Sequence, residues 1–309
     1  MIFENTIVVK NKTRLEQLVE RFNTKAQARF YIEHLEGDFN DYENEHEVFH
    51  DAMNKVVHTV HHFSKHKVLE RKFLSNFLFD KKDVIVVLGQ DGLVANAAKY
   101  VNEQPIVGVN PDPTRNDGIL LPFNAANLGD GLEHVFAENF GIKKVTMAEA
   151  KTNDGQSLIA FNDLFIGPSS HTSARYKIRF GSKSEIQSSS GLIVSTGAGS
   201  TGWMSSVLNM TNGIQAAFKK TSPPISLNLN WEDERLFFAV REPFKSKHSD
   251  VSITAGYITK QNPLTIESNM PFNGVIFSDG VESDFLNFNS GCVVKIGVAR
   301  QKAHIVQSN

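Results

Sequence analysis

Apolar positions change rhythm along this chain of 309 residues, and the changes divide it. A short apolar run from Thr6 to Lys10 predicts a strand. Thr13 followed by Glu16 is a capping box, opening a helix with Leu15, Leu18, Val19 and Phe22 on one face. From about 44 to 77, Val48, Phe49, Met53, Val56, Val57, Val60, Phe63 and Val68 recur among polar residues and predict a second, long helical region. Residues 84–110, VIVVLGQDGLVANAAKYVNEQPIVGVN, read as strand, Gly-rich turn, short helix and second strand. The strand 84–88 is continuously apolar, as in a sheet covered on both faces, and 89–104 is long enough for a crossover between parallel strands.

After Phe123 the grammar changes. One more helix is expected over 124–140, and then Val, Ile, Phe, Ser and Thr alternate between turn signals at Asn153-Asp154-Gly155, Asp279-Gly280 and Ser290-Gly291. Strands are expected over 157–167, 175–180, 191–195, 236–240, 265–267, 275–277 and 292–298, interrupted by a helix over about 201–219. No repeat or flexible linker separates the halves. The expected architecture is an α/β N-terminal domain over 1–125 with a parallel, Rossmann-like sheet, and an all-β C-terminal domain over 126–309 whose last residues return to the first domain.

Composition narrows the class of function. The 32 basic and 34 acidic residues nearly cancel, which gives no electrostatic case for nucleic acid or an anionic membrane. No apolar stretch is long enough to span a bilayer. The sole cysteine, Cys292, excludes an intramolecular disulfide and fits a reducing compartment. MIFENTIVVKNKT shows neither a secretory nor an Arg/Ser-rich import pattern, so the expected location is the cytoplasm, without mitochondrial import.

Four constellations carry candidate chemistry. The turn Gly89-Gln90-Asp91-Gly92 offers backbone N–H groups at a helix N-terminus, a natural seat for phosphate. Asp91 in that seat repels phosphate unless it holds a metal ion or takes a proton from an attacking hydroxyl, both of which belong to phosphoryl transfer. An ordinary Gly turn after a strand is the plain alternative. Ser188–Trp203, SSSGLIVSTGAGSTGW, runs from an apolar strand into a loop of hydroxyls and glycines that opens a helix, with Ser200 or Thr201 as the simple N-cap alternative. Such a loop offers Ser195, Thr196, Ser200 and Thr201 hydroxyls, and the Trp203 ring, to a nucleotide. Asn162-Asp163 interrupts an apolar strand and needs partners if buried, which a nucleotide or a local turn can supply. His46-Glu47-Val48-Phe49-His50 fits H-E-x-x-H, the zinc helix of metalloproteases. It stands in a His-rich stretch with no third ligand in recognisable context, so the histidines read as a solvated face and no metal held directly by protein groups is expected. Arg175 and Arg115 are further candidates for neutralising phosphate, each with a structural reading beside it.

Taken in order, these segments resemble the NAD kinase family. Gly89-Gln90-Asp91-Gly92 matches its GGDG turn, Asn162-Asp163 its NE pair, and Thr196–Trp203, TGAGSTGW, its TPTGSTAY loop. PIVGVNPDPTRNDG at 105–118, Trp203 and Val240–Pro243 look most like the branch that contains mitochondrial-type members. The resemblance implies an α/β domain and a β-rich domain with the nucleotide site between them, usually in a homodimer or higher oligomer. It implies transfer of the γ-phosphoryl group of ATP, with Mg²⁺, to the 2′-hydroxyl of the adenosine ribose of NAD. Asp91 then becomes the base, Gly89, Gln90 and Gly92 hold phosphate, and Asp91, Gly92, Asn162, Asp163 and Ala198, Gly199, Ser200, Thr201, Gly202 and Trp203 bind NAD. Polyphosphate is a second possible donor. The sequence departs from the family at Gln90, Leu93, Asp163, Ala198 and Gly202, and the first two motivate an alternative: a catalytically weak protein that senses NAD or NADP. Lipid kinases share the GGDG turn, but the NAD-facing pair and loop argue against them.

Overall fold

The computed structural model describes residues 3–218 and 223–308. The chain folds as two compact units, one ending at Lys143 and taking back the chain from His304, the other running from Lys144 to Ala303.

In the first unit, β1 (Asn5–Lys10) leads to α1 (Arg14–Phe22), α2 (Lys25–His34) and the long α3 (Phe39–Phe63). There follow β2 (Lys65–Glu70), β3 (Asp83–Leu88), α4 (Asp91–Ala98), β4 (Pro105–Asn110), β5 (Phe123–Asn124) and α5 (Leu128–Phe136). The strands pair in parallel in the order β2, β1, β3, β4, with β5 and the returning residues His304 and Ile305 also parallel to β4. Every residue of β3 and β4 is buried, as expected of a parallel sheet covered on both faces. Val8, Val84, Val86, Leu88, Val107 and Val109 face Phe49, Met53, Val56 and Val60 of α3 and Leu128, Leu132 and Val135 of α5. The capping box is intact: Glu16 N–H donates to Thr13 Oγ1 and Thr13 N–H to Glu16 Oε2.

Two expectations change here, and one helix was not read. The helical region stops at Phe63; the next residues form β2, an edge strand whose Val68 is 41% exposed. Its Lys and His residues suit an unpaired edge, and its single apolar pair left no strand rhythm to read. The helix α2 was not legible. The division falls at 143/144 rather than near 125, because the apolar face of α5 completes the first unit's core.

The second unit comprises β6 (Ile142–Thr152), β7 (Ser157–Ala160), β8 (Asp163–Pro168), β9 (Ala174–Phe180), β10 (Lys183–Ser189), β11 (Leu192–Ser195) and α6 (Trp203–Ala217). It continues with β12 (Leu236–Val240), β13 (Ala255–Ile258), β14 (Leu264–Ser268), β15 (Gly274–Ser278), β16 (Val281–Asn287) and β17 (Val293–Val306), whose end is the strand that returns to the first unit. One antiparallel sheet has the order β13, β12, β11, β8, β15, β16. A second group joins β10, β9, β14 and the first half of β17, with β6 and β7 beside it. Leu164, Ile166, Leu192, Val194, Leu236, Phe238 and Ile276 of the first sheet pack against Tyr176, Ile178, Leu264, Ile266, Val294 and Ile296 of the second. On the outer face of the first sheet, Met204 of α6 packs on Ile193 and Ala239. Among the described residues no helix is long and apolar enough to cross a membrane.

Candidate active site

In the first unit, β3 delivers the chain into the Gly89–Gly92 turn, and α4 begins at Asp91. Gln90 is its N-cap, with extended backbone and no side-chain cap bond, and it is exposed. Gly89 makes room for packing: a Cβ there would stand 2.9 Å from Leu93 Cδ2. Gly92 is exposed with nothing within 4 Å of where its Cβ would be, so the helix start is open on this side, while the Gly89 N–H donates to Val109 O at 3.2 Å and the Leu93 N–H to Gln90 O at 2.8 Å.

Asp91 is half-buried, and its Oδ1 accepts the Leu120 N–H at 2.7 Å. That amide reaches Asp91 because Gly108 of β4 lacks a side chain; a Cβ there would lie 2.0 Å from Leu120 O. The loop between is self-braced. Asn110 Nδ2 donates to Asn116 O at 3.1 Å, Asp112 N–H to Asn110 Oδ1 at 3.0 Å, and Gly118 takes a left-handed φ of 67°. The stretch 110–118 is thus the scaffold that aims the acid. Arg115 is drawn into this scaffold. It pairs with Asp41 of α3 at 2.6 Å and with Asp112 at 3.5 Å, so its guanidinium ties loop to helix instead of standing open to an anion.

In the second unit, the expected strand 157–167 breaks at Phe161-Asn162, between β7 and β8. Asp279 holds the break: its carboxylate accepts the N–H groups of Phe161 at 3.0 Å, Asn162 at 2.6 Å and Asp163 at 3.2 Å. The loop after β11 closes on the same bend. Thr196 N–H donates to Asn162 O at 2.9 Å, and Thr196 Oγ1 donates to Phe161 O at 2.6 Å while accepting the Gly199 N–H. Gly199 lies so close that a Cβ would stand 2.1 Å from Asn162 O, and one on Gly197 would stand 1.9 Å from Asn230 O. The Asn162-Asp163 pair and the Ala198–Trp203 loop, distant in sequence, are therefore one structure.

Their side chains are committed unequally. Ser195 and Thr196 are fully buried and bonded within the protein, so their hydroxyls are not offered to a ligand. Ser200 Oγ donates to Gly197 O at 2.7 Å, while Thr201 and Gly202 are exposed and Ala198 is half-buried. The residues Ala198–Thr201 form a single 3₁₀ turn and α6 starts only at Trp203, with Gly202 and not Ser200 or Thr201 at its cap. The Trp203 indole stacks on Phe165 at 5.7 Å, with the Arg241 guanidinium over the ring at 5.5 Å. Arg175 lies on the exposed face of β9 and Lys177 is half-buried on the same strand. The residue that sequence reasoning missed is Asp279; the Asp279-Gly280 turn signal, with φ of 52° and 68°, was the only trace of it.

Asp163 is 9% exposed, and burial, reinforced by the charge of Asp279, pushes its carboxyl up to about 7. A folded value above the unfolded one means that folding favours the protonated acid. This group's contribution is full below the ordinary carboxylate value of 3.8 and is lost as pH rises through about 7. Asp163→Asn is therefore expected to be more stable than wild type at pH 8 by about 1–3 kcal/mol, and to match it more closely at pH 5. Urea unfolding of both proteins at the two pH values checks this.

No family model matches the chain. Among curated proteins it is similar to an NAD kinase of Chlorobaculum tepidum, 28% identical over 124 residues, covering 39% of this chain and 43% of that one. It is also similar to a mitochondrial NAD kinase 2 of Xenopus tropicalis, 24% identical over 303 residues, covering 72% and 70%. The chain thus spans under half of the first relative's length and over two thirds of the second's. Among solved structures it resembles a yeast NADH kinase complexed with NADH, with a TM-score of 0.59 and 14% identity over all of this chain and 84% of that one.

Proposed function

We propose that the chain is an NAD kinase, on its three ordered motifs and its similarity to NAD kinases, and that it transfers the γ-phosphoryl group of ATP to the 2′-hydroxyl of the adenosine ribose of NAD, making NADP. The observation that carries this reading is Asp91, an acid fixed by the Leu120 amide at the first residue of α4 beside an open Gly92. In the step, the ribose 2′-oxygen forms a bond to the γ-phosphorus, the bond from that phosphorus to the β,γ-bridging oxygen breaks, and ADP leaves. Asp91 takes the hydroxyl proton on the carboxylate oxygen that Leu120 does not use. The N–H groups at the start of α4, with Gly89, Gln90 and Gly92, cradle phosphate.

Mg²⁺ would enter with ATP and would supply charge neutralisation on its phosphates. Asp91 is the single acid of the turn and one of its oxygens is already bonded, which fits an ion carried on the nucleotide better than one caged by the protein. Asn162, Asp163 and the Ala198–Trp203 loop are assigned to the adenosine half of NAD. Asp163, with its carboxyl near 7, is suited to hydrogen-bonding ribose hydroxyls in either protonation state. A homodimer or larger homo-oligomer and a cytoplasmic, reducing setting complete the reading; the sole cysteine suits the latter.

A second reading, a protein that binds NAD or NADP without turnover, is favoured by Gln90, which is exposed at the helix cap where phosphate would approach, and by Leu93, which is buried and supplies no hydroxyl. Incubation with NAD, ATP and Mg²⁺ separates the two. Formation of NADP supports the kinase; binding of NAD by calorimetry with no NADP from ATP or polyphosphate selects the sensor, and recovery of activity in Gln90→Gly would locate its cause.

A further inference from the structure

The helix α3 carries His46 and His50 one turn apart, and their ring centres are 4.2 Å from each other. Phe49 is buried in the first unit's core and fixes the roll of the helix, which leaves Glu47 and Val48 exposed. Glu47, the residue that would serve as base in a metalloprotease helix, is therefore outside the cluster, and no proteolytic arrangement exists here. The third group comes from α1 instead. Glu16 places Oε1 3.2 Å from His50 Nε2, while its Oε2 accepts the Thr13 N–H at 2.8 Å. Thr13 Oγ1 in turn lies 2.9 Å from His46 Nδ1. One ligand atom from each of Glu16, His46 and His50 falls within 4.8 Å of the other two, and all three residues are half-buried.

We propose that Glu16, His46 and His50 form a binding site for a divalent first-row transition-metal ion, zinc above all, that clamps α1 to α3. Two imidazoles and one carboxylate are a donor set that suits zinc better than magnesium or calcium. Ligands about 2.0–2.2 Å from a tetrahedral ion lie roughly 3.3–3.5 Å from one another. The 3.2 Å between Glu16 and His50 is close to that spacing, and with all three ligand atoms within 4.8 Å of one another the set closes by side-chain movement of at most about 1–1.5 Å. The capping box orients Glu16 and the Thr13 hydroxyl orients the His46 ring, which is the supporting shell that metal ligands require. A cavity of about 460 Å³ beside Glu16 and His46, also lined by Lys12, Lys25, Glu20 and Glu70, gives the ion an entry path and leaves room for a further ligand. None of the residues assigned to nucleotide belongs to this set, so the site stands whether or not the chain makes NADP.

The test is calorimetric titration of zinc into the metal-stripped full chain, with thermal unfolding in parallel. One zinc ion per chain is expected, and zinc at about 100 times its Kd should raise the folded-to-unfolded ratio about 100-fold. His50→Gln and Glu16→Gln should each weaken binding by more than about 10-fold. Glu16→Gln retains a side chain able to complete the capping box, so it separates metal binding from folding. His58 and His62, whose rings meet edge-to-face with centres 4.7 Å apart farther along α3, supply the control: the double change His58→Gln, His62→Gln should leave binding intact. No zinc bound to the wild type, or binding lost in that control and kept in His50→Gln and Glu16→Gln, would overturn the proposal.

Discussion

Asp91→Asn is expected to slow NADP formation by about 10²–10⁴-fold, the usual worth of a positioned general base, with little change in thermal stability. Both halves of that expectation come from one contact. Asp91 Oδ1 accepts the Leu120 N–H at 2.7 Å, and the amide oxygen of Asn accepts the same bond in the same geometry, so the loop from Gly108 to Leu121 stays anchored. What disappears is the negative charge able to take a proton. Loss of an acid from the first turn of α4 costs roughly 0.3–1 kcal/mol of helix-dipole energy, too little to unfold the protein. Steady-state rates and melting curves of the two proteins measure both quantities, and a variant retaining a third or more of the rate would remove Asp91 as the base.

Gly199→Ala should cost about 3 kcal/mol or more of stability and weaken NAD binding at least tenfold, because its Cβ would stand 2.1 Å from Asn162 O. Asn162 O cannot retreat easily. It accepts the Thr196 N–H at 2.9 Å, and the bend carrying it is pinned by three N–H groups bonded to Asp279. The added methyl must lift the 196–201 loop or push the 161–163 bend, and either displaces residues assigned to adenosine. Gly213→Ala in α6 is the comparison, since nothing lies within 4 Å of its Cβ and a helical Gly-to-Ala change stabilises by about 0.5–1 kcal/mol. Equal unfolding midpoints for the two variants would contradict the close-approach argument.

What could be read from the sequence was whatever is local. The continuous run 84–88 gave a doubly covered strand, Thr13 and Glu16 gave a capping box that the structure retains, and three short motifs gave two site fragments in order along the chain. What could not be read depends on separation along the chain. Asp279 braces residues 116–118 positions away, and no periodicity marks such a partner. The hydroxyls of Ser195 and Thr196 looked available because a loop of small polar residues has the same composition whether it faces solvent or folds back on a bend. Arg115 looked like a phosphate group for a similar reason, its partner Asp41 lying 74 residues earlier. The strand β2 was absorbed into a helix because an edge strand needs only Leu69 buried and shows no alternation.

Phosphoryl transfer to one ribose hydroxyl is tested directly by phosphorus NMR of the reaction of the full chain with NAD, ATP and Mg²⁺. The predicted result is a new phosphomonoester on the 2′-oxygen of the adenosine ribose, formed one for one with ADP and suppressed in Asp91→Asn. ADP accompanied only by free phosphate, ester at another position, or unchanged NAD beside intact ATP would contradict it.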